Sequence, residues 1–179
     1  MRAALPDPAV RYQGPLYRAL NPVWAAKPLS GEGANLHGGR FNAKGTPALY
    51  TALSVMGAVA EANQIGRPFE PVTLVSYRAD IYPVFDATNQ AALNQRNVPA
   101  KWLSADDWRL QMRRDGLSDG QRLASALIGS GYAGVLVPSF AKGVAAGACN
   151  LVLWHWGNAA PHQLVLIDSE NRLRTAQKT

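Results

Sequence analysis

The stretch GGRFNAKGTPALYTALSVMGAVAEANQ, residues 38–64, places a turn, a strand and a helix in immediate succession. Pro47 to Ala52 reads as a strand. Ser54 is the expected N-cap of a helix running to about Gln64, with Gly66 just beyond its end. Turning Val55, Ala58, Val59 and Ala62 toward the core leaves Glu61 at the border of the apolar face, two helical turns from Ser54. A border carboxylate can edge a cleft and have its charge set by its surroundings, or it can be a plain surface glutamate. Ahead of the strand, Gly38 and Gly39 let the backbone approach a ligand closely, and Arg40 directly after them can grip a phosphate or carboxylate bidentately. The plain alternative is a tight turn followed by a solvated arginine.

Working outward, residues up to Gln13 read as a loose arm and Leu16 to Leu20 as a short strand. Asn21 to Gly39 is rich in Pro, Gly, Ser and Asn and is expected to be a long functional loop. Downstream, the alternation across Val72 to Asp80 predicts a strand. Short helices are expected after Thr88 and after Ser104. Asp119 is the expected cap of a helix over Gly120 to Ser130, with Leu123, Leu127 and Ile128 near one side. Strand-like runs follow at Gly134 to Pro138, Asn150 to Trp156 and Gln163 to Asp168. Strands cluster late instead of alternating with helices, which predicts a single α+β domain with a mixed or antiparallel sheet and flanking helices. The expected division is an arm over 1–15, a single domain over 16–168 and a basic tail over 169–179.

The 179 residues suit one domain, and 47% apolar with 17% charged residues is globular composition. No apolar run has the length of a membrane span, and Met1 to Val10 has no signal-peptide core, so a cytoplasmic protein is expected. One cysteine, Cys149, excludes an intrachain disulfide and a multi-cysteine zinc site, and His37, His155 and His162 lack metal-ligand spacing; no metal is expected. A net charge of +6 calls for an acidic partner or a phosphate-bearing ligand. Because the basic residues are scattered, a continuous nucleic-acid groove is disfavoured.

Ser139, at the end of a strong strand, and Asn150, opening the next, can hydrogen-bond a substrate. No Gly-x-Ser-x-Gly elbow surrounds Ser139, so it is not read as a hydrolase nucleophile. The Trp154-His155-Trp156 group could stack bases, although packing in the sheet is the simpler use.

Taken in order, Tyr17-Arg18, Gly31, Gly33, Ala34, Gly38 through Asn42, Gly45, Pro47, Tyr50-Thr51, Ser54, Ala58, Glu61, Gly131, Val135, Pro138-Ser139 and Asn150 resemble the RES domain, a bacterial toxin family. The chain departs from the family pattern at Phe41, where tryptophan is usual, and at Ala52, where serine is usual. The segment between Ser139 and Asn150 is longer and lacks an acidic residue before the asparagine.

The resemblance implies a fold similar to ADP-ribosyltransferase toxins and a reaction that consumes NAD as co-substrate. By that resemblance Glu61, Arg40, Tyr50 and Ser139 are catalytic. Arg18, Gly39, Arg40, Asn42, Tyr50, Ser54 and Asn150 bind the dinucleotide. It also implies a helix-turn-helix antitoxin that occludes the cleft, with nucleic acid reached only through that partner. The expected outcome is transfer of ADP-ribose to a protein target. The alternatives are NAD degradation by phosphate or water and, from another class, a basic nucleic-acid-binding module.

Overall fold

The computed structural model describes residues 8–63 and 69–175. Its six strands are β1 (Val10–Leu20), β2 (Leu49–Ala52), β3 (Thr73–Asp86), β4 (Gly134–Pro138), β5 (Cys149–Leu153) and β6 (His162–Leu166). The helices are α1 (Glu32–His37), α2 (Val55–Ala62), α3 (Gln90–Gln95), α4 (Lys101–Ser104), α5 (Trp108–Asp115), α6 (Asp119–Gly129) and α7 (Arg172–Thr175). No helix among the described residues is long and apolar enough to cross a membrane.

Strand pairing follows from alternation. Along β3, Val75, Tyr77, Ala79 and Ile81 are buried, while Leu74 and Arg78 are exposed and Ser76 and Asp80 are half-buried. β3 pairs antiparallel with β1 along one edge, and with β6 and, in parallel, β4 along the other. β4 pairs with β5, β5 with β2, and β2 meets β1 at Tyr17↔Ala52. The circuit β1–β2–β5–β4–β3 therefore returns to its start, with β6 added outside it. This is the expected mixed, largely antiparallel sheet.

β5 shows why the interior divides in two. Leu151 and Leu153 join a cluster with Leu16, Leu49, Tyr77 and Ile81, whereas Val152, pointing the other way, joins Phe85, Leu123, Leu127 and Trp154 under the helices. A strand covered on both faces must be apolar throughout, as this one is after Asn150. Each fully buried leucine stabilises the fold by about 1.5–3 kcal/mol.

Several elements differ from the sequence reading. β1 starts at Val10, so part of the expected arm is strand: its backbone finds a ladder partner in β3, which no local signal announces. β3 runs on to Asp86, beyond the expected end at Asp80. The long loop holds a 3-10 turn at Pro22–Trp24, capped by Asn21, and the whole of α1. The cap of α6 is Ser118, not Asp119: the Ser118 hydroxyl accepts the Gln121 N–H while the Gln121 side chain accepts the Ser118 N–H. Asp119 becomes the first helical residue and pairs instead with Arg122. The expected helix end at Gln64 and Gly66 lies outside the described residues.

Burial pushes the Tyr77 phenol up to about 12, and its hydroxyl donates to the Pro28 carbonyl at 2.6 Å. The folded chain thus holds this proton more tightly than the unfolded chain, whose tyrosines titrate near ~10. Its contribution to stability is intact below about pH 10 and is lost as the pH rises toward 12. We expect Tyr77→Phe to cost about 1 kcal/mol at neutral pH and to flatten the alkaline fall, measured as thermal midpoints across pH 8–12.

Candidate functional site

Three strands and a helix bring the site together. The β2–β5 register sets Asn150 opposite Ala52, and the β4–β5 register sets it opposite Val137. Asn150 therefore stands between the end of β2, where the chain turns into α2, and the end of β4, where Ser139 follows. Ser54 caps α2 by accepting the Gly57 N–H at 3.0 Å. That start aims Glu61 back across the strand ends. Its Oε1 accepts from Ser139 Oγ at 2.7 Å and from Asn150 Nδ2 at 2.6 Å. Its Oε2 has no such donor among the described residues. Asn150 Oδ1 is buried without a hydrogen-bond partner. A buried acceptor left unpaired costs about 1–3 kcal/mol, so a ligand donor would relieve it.

The glycine loop forms the facing wall. Gly39 and Asn42 form an isolated antiparallel bridge, with the Gly39 N–H donating to the Asn42 carbonyl at 2.9 Å. Asn42 is fully buried: its amide donates to the Ala34, Ala43 and Thr46 carbonyls, and its oxygen accepts from the Tyr50 hydroxyl at 2.7 Å. The same hydroxyl accepts the Phe41 N–H. Burial raises the Tyr50 phenol far above its usual range, so it stays neutral and keeps donating. A side chain at Gly39 would run into that hydroxyl, which explains the glycine.

Arg40 projects from this loop. Its Nη1 donates to the Leu103 carbonyl at 2.9 Å, and its guanidinium lies 5.4 Å from the Phe140 ring centre. Asp106 sits 4.0 Å away and is fully exposed, so that pair is weak. Arg18, on β1, donates to the Pro28 and Ser30 carbonyls at 3.4 and 3.3 Å. Burial lowers the pKa of both arginines, yet a guanidinium remains cationic at neutral pH.

Arg18, Gly39, Arg40, Tyr50, Glu61 and Asn150 line a single cleft of about 630 Å³. The arginine and the glutamate thus face one space, as the sequence reading requires. Ser139 reaches it through Glu61. Two expected ligand contacts are placed otherwise: the Asn42 side chain is spent on the Ala34, Ala43 and Thr46 carbonyls and the Tyr50 hydroxyl, and the Ser54 hydroxyl caps a helix. Neither lines the cleft.

Sequence reasoning missed Asp106, Trp108, Arg109, Phe140 and Lys142, which also line the cleft. No local pattern marks them, since their approach depends on how α5 and the segment after β4 pack. It also missed Gln121. This fully buried side chain, besides closing the α6 capping box, donates to the Gly39 and Asn42 carbonyls at 2.9 and 3.1 Å. A Ser-x-x-Gln box was legible; its second use was not. Trp154 is 4% exposed and donates to the Phe41 carbonyl, and the partly buried Trp156 packs against the second core cluster, while His155 between them is exposed. Among the described residues, no group of three or more His, Cys, Asp and Glu side chains gathers to hold a metal.

A mixed α/β domain whose strand ends and glycine loop enclose a cleft lined by arginine and by a glutamate that a serine holds in place defines the class of protein. The chain belongs to the RES domain family, whose model matches residues 15–175. It is also similar to a chain of the M. tuberculosis MbcT–MbcA toxin–antitoxin complex, with TM-score 0.66 and 25% identity over 89% of this chain and 84% of that one. No curated protein matches the sequence.

Asn150→Asp would set a second carboxylate against Glu61. Like charges at that distance disfavour ionisation and raise the pKa of the pair. The variant should be less stable than the parent at pH 7 by about 1–3 kcal/mol, with the deficit shrinking as pH falls and one carboxyl takes a proton. Denaturant midpoints at pH 7 and pH 4.5 check this.

Proposed function

We propose that this RES-domain protein is the toxin of a toxin–antitoxin pair, acts in the cytoplasm, and cleaves the nicotinamide–ribose bond of NAD, passing ADP-ribose to a protein acceptor. The observation that carries the reading is the Glu61 carboxylate, held on one oxygen by Ser139 and Asn150 inside a cleft with four cationic side chains (Arg18, Arg40, Arg109 and Lys142) and two carboxylates (Glu61 and Asp106). Such a cleft favours a ligand with two phosphates.

The nicotinamide of NAD leaves as a neutral base that takes the bonding electron pair with it, so acid catalysis is not needed. What lowers the barrier is stabilisation of the positive ribose carbon and a fixed approach for the nucleophile. Glu61 Oε2 and the unpaired Asn150 Oδ1 are neighbouring acceptors suited to ribose hydroxyls, and the carboxylate charge favours the oxocarbenium. Arg18 and Arg40 hold the pyrophosphate, each charged hydrogen bond contributing about 1.5–3 kcal/mol. The neutral Tyr50 ring, which lines the cleft with its hydroxyl turned to Asn42, stacks on nicotinamide. An acceptor oxygen or nitrogen then bonds to the ribose carbon and gives up its proton. The segment from Phe140 to Lys142 borders the cleft and offers a place where a protein acceptor docks.

The solved neighbour is a toxin–antitoxin complex, which supports an antitoxin as partner here. In this reading a segment of a helix-turn-helix antitoxin covers the cleft, and nucleic acid is met only through that partner.

NAD labelled in its adenylate half, incubated with the protein and cell extract, should yield a labelled protein band. Free ADP-ribose or its phosphate in place of the band would make water or phosphate the acceptor, and no loss of NAD would sink the reading. Glu61→Gln keeps an oxygen for Ser139 and Asn150, so it should fold normally while NAD loss falls by roughly 100-fold or more.

A further inference from the structure

A second cavity, of about 310 Å³, opens beside the cleft and is lined by Trp24, Lys27 and Ser30 from the segment between β1 and α1. The two cavities meet at Arg18, Gly38 and Tyr50, which line both. At the junction Gly38 has φ +72°, a conformation that keeps side chains away and leaves backbone there.

The chemistry of this annexe is specific. Trp24 is 48% exposed although its neighbour Pro28 is buried. Its indole N–H and the Lys27 ammonium have no bonded partner among the described residues. A large aromatic face left open beside an unpaired cation, next to the half-buried Arg18, matches a ligand with a flat base on one side and a phosphate on the other. The segment is also held in place: Asn21 caps its 3-10 turn, Arg18 and Tyr77 bond its Pro28 carbonyl, and Trp156 donates to the Leu29 carbonyl at 3.0 Å.

We propose that this cavity takes the adenosine half of the dinucleotide, with the base stacked on Trp24 and the adjoining phosphate bound by Lys27. The assignment rests on the NAD reading above and gives Arg18 its place: at the junction, it holds the pyrophosphate while the nicotinamide ribose lies toward Glu61. Recognition of the adenylate end is thereby separated from the reacting end, on a segment that contributes nothing to the Glu61 network.

ADP is the probe, since it carries the adenosine end and lacks the scissile bond. Titration calorimetry should show ADP binding to the full chain, unchanged in Glu61→Gln and roughly ten-fold or more weaker in Trp24→Ala and in Lys27→Ala. Trp24→Phe should recover most of the loss, and nicotinamide mononucleotide should bind Trp24→Ala as it binds the parent. Both residues are exposed, so the variants should melt with the parent protein. ADP binding that ignores both substitutions, or no ADP binding at all, overturns the proposal. Normal ADP binding without NAD cleavage sinks the proposed reaction and leaves the adenosine site standing.

Discussion

A carboxylate in a half-buried wall needs donors, and Glu61 obtains them from two strand ends that only the sheet register brings together. Ser139 lies just past β4 and Asn150 sits inside β5, so their meeting depends on the antiparallel pairing of those strands. The pairing of β5 with β2 in turn places α2 where Glu61 can reach both. Loss of either donor would leave the charge poorly solvated. The same bonds tie helix to sheet and leave one carboxylate oxygen facing the cleft.

The opposite wall is built from neutral amides. Asn42, Tyr50 and Gln121 form a chain of hydrogen bonds that closes the Gly39–Asn42 bridge from behind. Buried polar groups of this kind are costly when unpaired and rigidifying when satisfied, and here every amide of the chain finds a partner. Arg40 is thereby carried on a loop that behaves like part of the core. The outer end of its side chain is steadied by the Leu103 carbonyl and the Phe140 ring. This rigid wall contrasts with the neighbouring cavity, where the Trp24 ring is left exposed.

Much of this was legible along the chain. The reading of a strand over Pro47 to Ala52 followed by a helix to about Gln64 holds in its order, with the strand found over Leu49–Ala52 and the helix over Val55–Ala62, because Ser54 is a strong local cap and the apolar spacing is helical; β4 is found where its apolar run predicts. Local signals failed where long-range pairing decided the matter. Residues 10–13 look like an arm because they carry no strong strand signal, yet β3 supplies their ladder partner. Asp119 looks like a cap, but Ser118 has Gln121 at the right offset and takes the role. Asn42 and Ser54 were read as ligand contacts because they belong to the motif. Their motif positions reflect how the loop and helix are held, which a pattern of residues does not distinguish from contact with substrate.

Short-range chemistry thus determined the class of fold, the capped helix bearing Glu61 and the family resemblance carried by the order of glycine pair, tyrosine and glutamate. Caps, alternation and turn residues act within a few positions, so they can be read in order. The tertiary structure alone decided that Ser139 and Asn150 share one oxygen of Glu61, that Gln121 clamps a loop distant in sequence, and that Trp24 opens onto a cavity beside Arg18. Those outcomes depend on strand register and on which buried amides must find partners, constraints that exist only once the chain has closed on itself.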